Sequence, residues 1–202
     1  MIPFLGDVAL AFGAIFVAEF GDKSQLLILA FATRYPWRPV VIGLVVAAAA
    51  IQGISVAIGA AVGTALPGTA VAIISGLAFL AVGVWTLRGE DDEEEREADV
   101  DGRRRLAGTG LVLAVAGTFI LGELGDKTML ATFALAATQG ALPTWIGSTT
   151  GEVGANLVAV VVGRQVGHRL SQRAVRIGSA ALFAVAGVLI LAGAFMGAIG
   201  QG

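Results

Sequence analysis

The chain has no cysteine, one histidine and two lysines, and each scarcity closes off a class of chemistry. Without cysteine there are no disulfides, thiolate metal ligands or thiol nucleophiles. A single histidine, His168, excludes a multi-histidine metal centre within the chain. Charged residues fill only 14% of the 202 positions, against 56% hydrophobic ones, and the mean hydropathy is +0.86. A soluble core of this size needs no chain so apolar, and the composition is that of a polytopic membrane protein. The first residues hold neither a basic stretch nor a small-residue cleavage site, so the first apolar segment is expected to remain in the mature protein.

The few ionisable residues are not scattered. Both lysines fall in a short stretch that occurs twice, Glu19-Phe20-Gly21-Asp22-Lys23-Ser24 and Glu123-Leu124-Gly125-Asp126-Lys127-Thr128. Each copy interrupts a long apolar segment. A charged residue at a bilayer centre costs roughly 2.5–3.5 kcal/mol, so these residues must face one another, a water-filled cavity or a bound ion. A purely structural alternative is a Glu–Lys pair at i,i+4 in each copy, holding helices together. Each copy also carries an Asp, however, which leaves two acids for one base.

Six apolar segments are expected to cross the bilayer, at about 5–33, 40–62, 69–87, 106–138, 144–163 and 177–200. Short loops with Pro36, Pro39, Pro67 and Pro143 separate some of them. The halves superpose without a gap: Glu19 and Glu123 are 104 apart, and the same offset pairs Pro39 with Pro143, Gly43 with Gly147 and Phe79 with Phe183. Three spans per copy is an odd number, so the second copy enters from the opposite side. The expected architecture is all-α, six transmembrane helices as two inverted three-helix repeats. Residues 1–88 and 106–202 form the repeats, and 89–105 forms a charged linker.

Arginine orients this arrangement. All eleven arginines fall in or beside the first, third and fifth loops, which share one side of the membrane. The excess of positive charge places those loops, and the 89–105 linker, in the cytoplasm, with both termini outside. The acidic run from Glu90 to Asp101 reads as a solvated linker, with weak cation collection or regulation as the alternative. His168 reads as an exposed loop residue. Arginine in preference to lysine, with much Ala, Gly and Val, suggests a bacterial chain and hence the plasma membrane.

On a helix, Glu19, Asp22 and Lys23 crowd one side, and Gly21 lowers helix propensity among them. A local opening there frees backbone carbonyls beside the carboxylates. Two such motifs meeting at a pseudo-two-fold axis offer four carboxylates (Glu19, Asp22, Glu123 and Asp126), the Ser24 and Thr128 hydroxyls and the Gln25 amide. Oxygen-rich ligation suits hard divalent cations such as Ca²⁺, Mg²⁺ or Mn²⁺. Four acids and two lysines sum to two negative charges, which one divalent ion or two protons neutralise equally well. In the fifth segment, Glu152 and Asn156 lie on one helix face, and the offset pairs Asn156 with Gln52. Glu152 has no acidic counterpart; it either relays protons or adds a ligand, or it pairs with a motif lysine.

Two copies of Glu-x-Gly-Asp-Lys-Ser/Thr, one per repeat, around an acidic central loop resemble the GDT-one family of cation/proton exchangers, within the lysine-exporter superfamily. The resemblance covers essentially the whole chain. It implies exchange of Mn²⁺ or Ca²⁺ for protons, with Mn²⁺ export from the cytoplasm as the leading reading and no resident cofactor. It further implies Glu19, Asp22, Glu123 and Asp126 as metal ligands, with Lys23 and Lys127 as internal counter-ions. Gln25 follows Ser24 as the family often has it, whereas Met129 follows Thr128. A thioether at the site would bias selection toward Mn²⁺ over Ca²⁺; otherwise Met129 fills a helix interface. The superfamily raises export of a basic amino acid as a second reading. A membrane hydrolase built on Ser24 or Thr128 beside a lysine, and a non-transporting assembly factor, are readings of other classes. Adjacent helical residues do not face each other, which counts against the hydrolase. No enzyme activity and no nucleic-acid partner are expected; the partners are the ion, protons and the bilayer.

Overall fold

The computed structural model describes residues 2–20, 22–88, 107–166 and 172–199. Every element among them is an α-helix: α1 (Ile2–Glu19), α2 (Lys23–Arg34), α3 (Trp37–Ala65), α4 (Gly68–Arg88), α5 (Gly108–Glu123), α6 (Lys127–Gln139), α7 (Ala141–Val166) and α8 (Gln172–Ile199). Gly21, the 89–105 linker, His168 and the Lys23 side chain, all named above, lie outside what is described.

The breaks follow from local chemistry. Pro36 cannot continue a helix and limits its predecessor to extended backbone, so α2 stops at Arg34 and α3 starts at Trp37. Pro67 separates α3 from α4 in the same way. Gly140, at φ +112°, separates α6 from α7, and two further breaks fall on the repeated motif. Gly125 sits at φ +83°, a left-handed conformation that glycine adopts without a Cβ clash. There α5 gives way to α6 with a bend of 80°. The first and fourth apolar segments are therefore each two half-helices with the motif at the joint.

Among the described residues, three helical stretches are alone long and apolar enough to cross a membrane: Trp37–Ala65, Gly68–Arg88 and Ile177–Gly197. The bent pair α5–α6 makes a fourth when taken as one span. The α1 and α2 pieces, of 18 and 12 residues, are split by the motif, and the run Gly147-Ser148-Thr149-Thr150-Gly151-Glu152 makes the middle of α7 polar. Large apolar side chains such as Leu189, Phe195 and Met196 stand outward on α8, as helices in lipid allow.

The two halves repeat in space as well as in sequence. α3 packs on α5, and α7 packs on α1, which is the same pair displaced by 104 residues. A Cβ on Gly43 would stand 2.9 Å from the Val112 carbonyl oxygen and 2.7 Å from the Val115 Cβ. At the equivalent crossing, a Cβ on Gly147 would stand 2.4 Å from the Val8 oxygen and 2.7 Å from the Ala11 Cβ. Only glycine lets the backbones come so close. One apolar cluster gathers Ile15, Phe79, Leu135 and Phe183 from α1, α4, α6 and α8. A second gathers Ile28, Phe31, Leu44, Leu111 and Phe119 from α2, α3 and α5. The motif joints fall among these packed helices.

Candidate metal and proton site

The two joints share one backbone hydrogen bond. α1 ends at Glu19 and α5 at Glu123, and one turn of backbone follows, closed by Asp22 N–H to Glu19 O at 3.2 Å and Asp126 N–H to Glu123 O at 3.1 Å. The aspartate then opens the next half-helix; Asp126 is extended at φ −75°, ψ 167° and does not cap α6 with its side chain. The carboxyl end of one half-helix and the amino end of the next thus flank the acids.

The joints bring oxygens from both repeats together. One carboxylate oxygen each from Glu19, Asp22 and Asp126 lie within 4.8 Å of one another. Oxygens facing each other across a bound Ca²⁺ stand about 4.6–5.2 Å apart, so the group has the span of one coordination shell. Glu19 is fully buried, and its Oε2 accepts a 2.9 Å hydrogen bond from Ser24 Oγ while its Oε1 has no partner. Asp126 Oδ2 is likewise buried and unpartnered. Lys127 Nζ bonds Asp22 Oδ2, so the ion pair crosses between repeats and does not close within one motif.

Glu123 stands apart from that trio. It is buried at 5% exposure with Oε2 unpartnered, but it does not share the 4.8 Å group. Thr128 Oγ1 is buried without a partner, whereas its counterpart Ser24 bonds Glu19. Buried polar atoms are ordinarily satisfied, so this density of unpartnered oxygens marks where cationic groups or water belong. Thr132, one turn beyond Thr128, adds another buried hydroxyl without a partner. Sequence reading passed over Thr132; its signal was the i,i+4 spacing from Thr128 on a helix of otherwise apolar and small residues.

The remaining polar residues line α3 and α7 beside the joints. Gln52, Glu152 and Asn156 are all fully buried. Gln52 Nε2 donates to Glu152 Oε2, and Asn156 Nδ2 donates to the Glu152 backbone oxygen at 3.0 Å. Glu152 Oε1, Gln52 Oε1 and Asn156 Oδ1 have no partner. Gln25 reaches across to the Ala155 carbonyl at 3.3 Å, tying α2 to α7. Met129 Sδ accepts the Gly125 N–H at 3.2 Å, so the sulfur braces the second joint.

Known proteins of similar sequence were compared once this geometry was in hand. Residues 7–94 and 111–198 each match the family described as divalent cation/proton antiporter GDT1, at the same offset of 104 that relates the motifs. A GDT1-like protein of Synechocystis sp. is 31% identical over 84% of this chain and 88% of its own length. PAM71, a chloroplastic protein of Arabidopsis thaliana, is 32% identical over 90% of this chain, which spans only 56% of that protein. A protein of Vibrio cholerae named "Putative manganese exporter" is 28% identical over 87% of this chain and 86% of its own length. No solved structure matches the chain.

Proposed function

Since the chain belongs to the divalent cation/proton antiporter GDT1 family, we propose that it exchanges Mn²⁺, with Ca²⁺ as the alternative substrate, for protons and exports the metal from the cytoplasm. The family is one of transporters, not of enzymes. Support for the ion and the direction comes from the relative named a manganese exporter. The Ser24 hydroxyl is engaged with Glu19, which leaves a Ser–Lys nucleophile without support.

The observation that carries the proposal is the trio of Glu19, Asp22 and Asp126 oxygens within 4.8 Å, drawn from both repeats. In this reading those acids hold the ion, and Glu123 joins from its buried position as the motifs rearrange. Lys127 holds Asp22 as an internal counter-ion, and Lys23 is its equivalent in the first motif. Ser24, Gln25, Thr128, Gln52, Glu152 and Asn156 complete the polar lining. Two protons or one divalent ion neutralise the trio and its lysine, so occupancy by one expels the other.

We place six spans in the bilayer: α1 with α2, α3, α4, α5 with α6, α7 and α8. Residues 1–88 and 106–202 are the inverted repeats, joined by the linker at 89–105. The arginine distribution supports a cytoplasmic linker and outward termini in a bacterial plasma membrane. Reconstitution into proteoliposomes with fluorescent reporters of Mn²⁺ and internal pH tests the exchange. A pH gradient should drive Mn²⁺ uphill, and a Mn²⁺ gradient should move protons the other way. Mn²⁺ flux indifferent to the pH gradient, or no flux of either divalent ion, refutes the proposal.

A further inference from the structure

Repeats related by an offset of 104 predict that each contact has an equivalent 104 residues away, and the contacts of α4 and α8 with the other helices depart from this. α4 and α8 pack along each other through Phe79 and Phe183, whose ring centroids are 5.7 Å apart. This pair sits off centre. α4 also lies along α6, yet among the described residues α8 does not lie along α2, its equivalent partner.

A pair of serines, themselves 104 apart, marks the asymmetry. Ser75 Oγ on α4 donates to Ala134 O on α6 at 3.2 Å. The equivalent bond for Ser179 would reach Ala30 O on α2. Instead Ser179 Oγ donates to Val17 O on α1 at 2.8 Å. The place where α4 would make that second kind of bond, Leu121 on α5, is open: Leu121 is 75% exposed, and α4 does not pack along α5 among the described residues. On the α8 side, a cavity of about 350 Å³ is lined by Phe16, Val17, Phe20, Gly178 and Ser179.

We infer that Ser75 and Ser179 are positioning residues that exchange partners during transport, as the α4–α8 pair rocks between the seat on α6 seen here and an equivalent seat on α2. In the second state Ser179 donates to Ala30 O, and Ser75 donates to Leu121 O. The inference rests on the antiporter reading, in which a site at the repeat interface opens to each side in turn. Each hydroxyl keeps an acceptor at both ends of the motion, so neither end leaves a buried donor unsatisfied. Symmetry-equivalent seats also make the two end states close in energy, as reversible exchange requires.

The two serines are not interchangeable in one state. The Ser75 bond to α6 is buried, whereas the Ser179 bond to α1 is only partly so. Losing a buried bond costs more, so Ser75→Ala favours the seat on α2. By symmetry Ser179→Ala favours the seat on α6. The chain lacks cysteine, so single Ala134→Cys and Ala30→Cys reporters can be read by thiol labelling without background. Ser75→Ala should speed labelling at position 134 and slow it at position 30. Ser179→Ala should do the reverse, by about five-fold, the population change that one hydrogen bond of ~1 kcal/mol commands. Changes of the same sign in both variants, or none, overturn the inference. Should an alanine variant not fold, the double variant Ala30→Cys/Ser179→Cys decides in native membranes. A disulfide between the two supports the second seat, and its absence under every pH and Mn²⁺ condition overturns it. Labelling requires no transport, so opposed labelling without Mn²⁺ flux would refute the exchange and leave the rocking pair standing.

Discussion

Replacing Lys127 with Gln removes the ammonium from the ion pair that joins the repeats. The Lys127 and Asp22 side chains are 10% and 6% exposed, so the aspartate left behind has little access to water. Breaking a buried pair by removing one partner costs about 3–5 kcal/mol, chiefly for the charge left uncompensated. That charge sits beside Glu19 and Asp126, so the metal-free variant gathers three carboxylates without the Lys127 ammonium. A divalent ion supplies the missing positive charge. Ligand present at about 100 times its dissociation constant stabilises the bound state by ~2.7 kcal/mol, and the variant has more repulsion to relieve. Thermal unfolding of purified protein, with chelator and with Mn²⁺, measures both effects. The variant should be markedly less stable than the parent in chelator and should gain more from Mn²⁺ than the parent gains. A variant as stable as the parent in chelator, or one whose deficit is untouched by Mn²⁺, would refute the reasoning.

Each of Glu19→Gln, Asp22→Asn, Asp126→Asn and Glu123→Gln should abolish or strongly weaken proton-driven Mn²⁺ flux in proteoliposomes; normal flux and pH dependence in all four would remove the acids from the mechanism. Met129→Gln should leave the Mn²⁺-to-Ca²⁺ preference unchanged, because the amide oxygen can take over the Gly125 N–H; a changed ratio in competitive flux would bring the sulfur to the ion. Gly147→Ala should cost about 1–3 kcal/mol in unfolding assays, since its Cβ would stand 2.4 Å from the Val8 oxygen and part α1 from α7. Gly13→Ala, with open space at its Cβ, should be neutral or gain about 0.5–1 kcal/mol from helix propensity.

Much of this protein can be read from its sequence because duplication writes the same constraint twice. The offset that pairs Glu19 with Glu123 also pairs Gly43 with Gly147, and both glycines sit at equivalent helix crossings. The glycines of the motif signalled weakened helix, and the second joint is broken at Gly125. What the sequence concealed is tertiary. Spacing places Lys127 beside Glu123 and Asp126, yet its nitrogen bonds Asp22 of the other repeat, a partner that only folding brings near. The split of the motif segments also hides spans from a reading of continuous apolar length, since α2 has only 12 residues. The unequal roles of Ser24 and Thr128, or of Ser75 and Ser179, cannot be read from near-identical repeats, because a single conformational state treats them differently.

Whether protons and the divalent ion contend for the same buried oxygens is decided by counting protons as the ion binds. Calorimetric titration of the purified chain with Mn²⁺, in buffers of different ionisation enthalpy, gives the number of protons released per ion. Protons should be released on binding, with affinity rising and the number released falling as pH increases and the acids arrive already ionised. Glu19→Gln should lower that number if the residue still permits binding. Mn²⁺ binding with no proton release and one affinity at every pH would contradict exchange through a shared site.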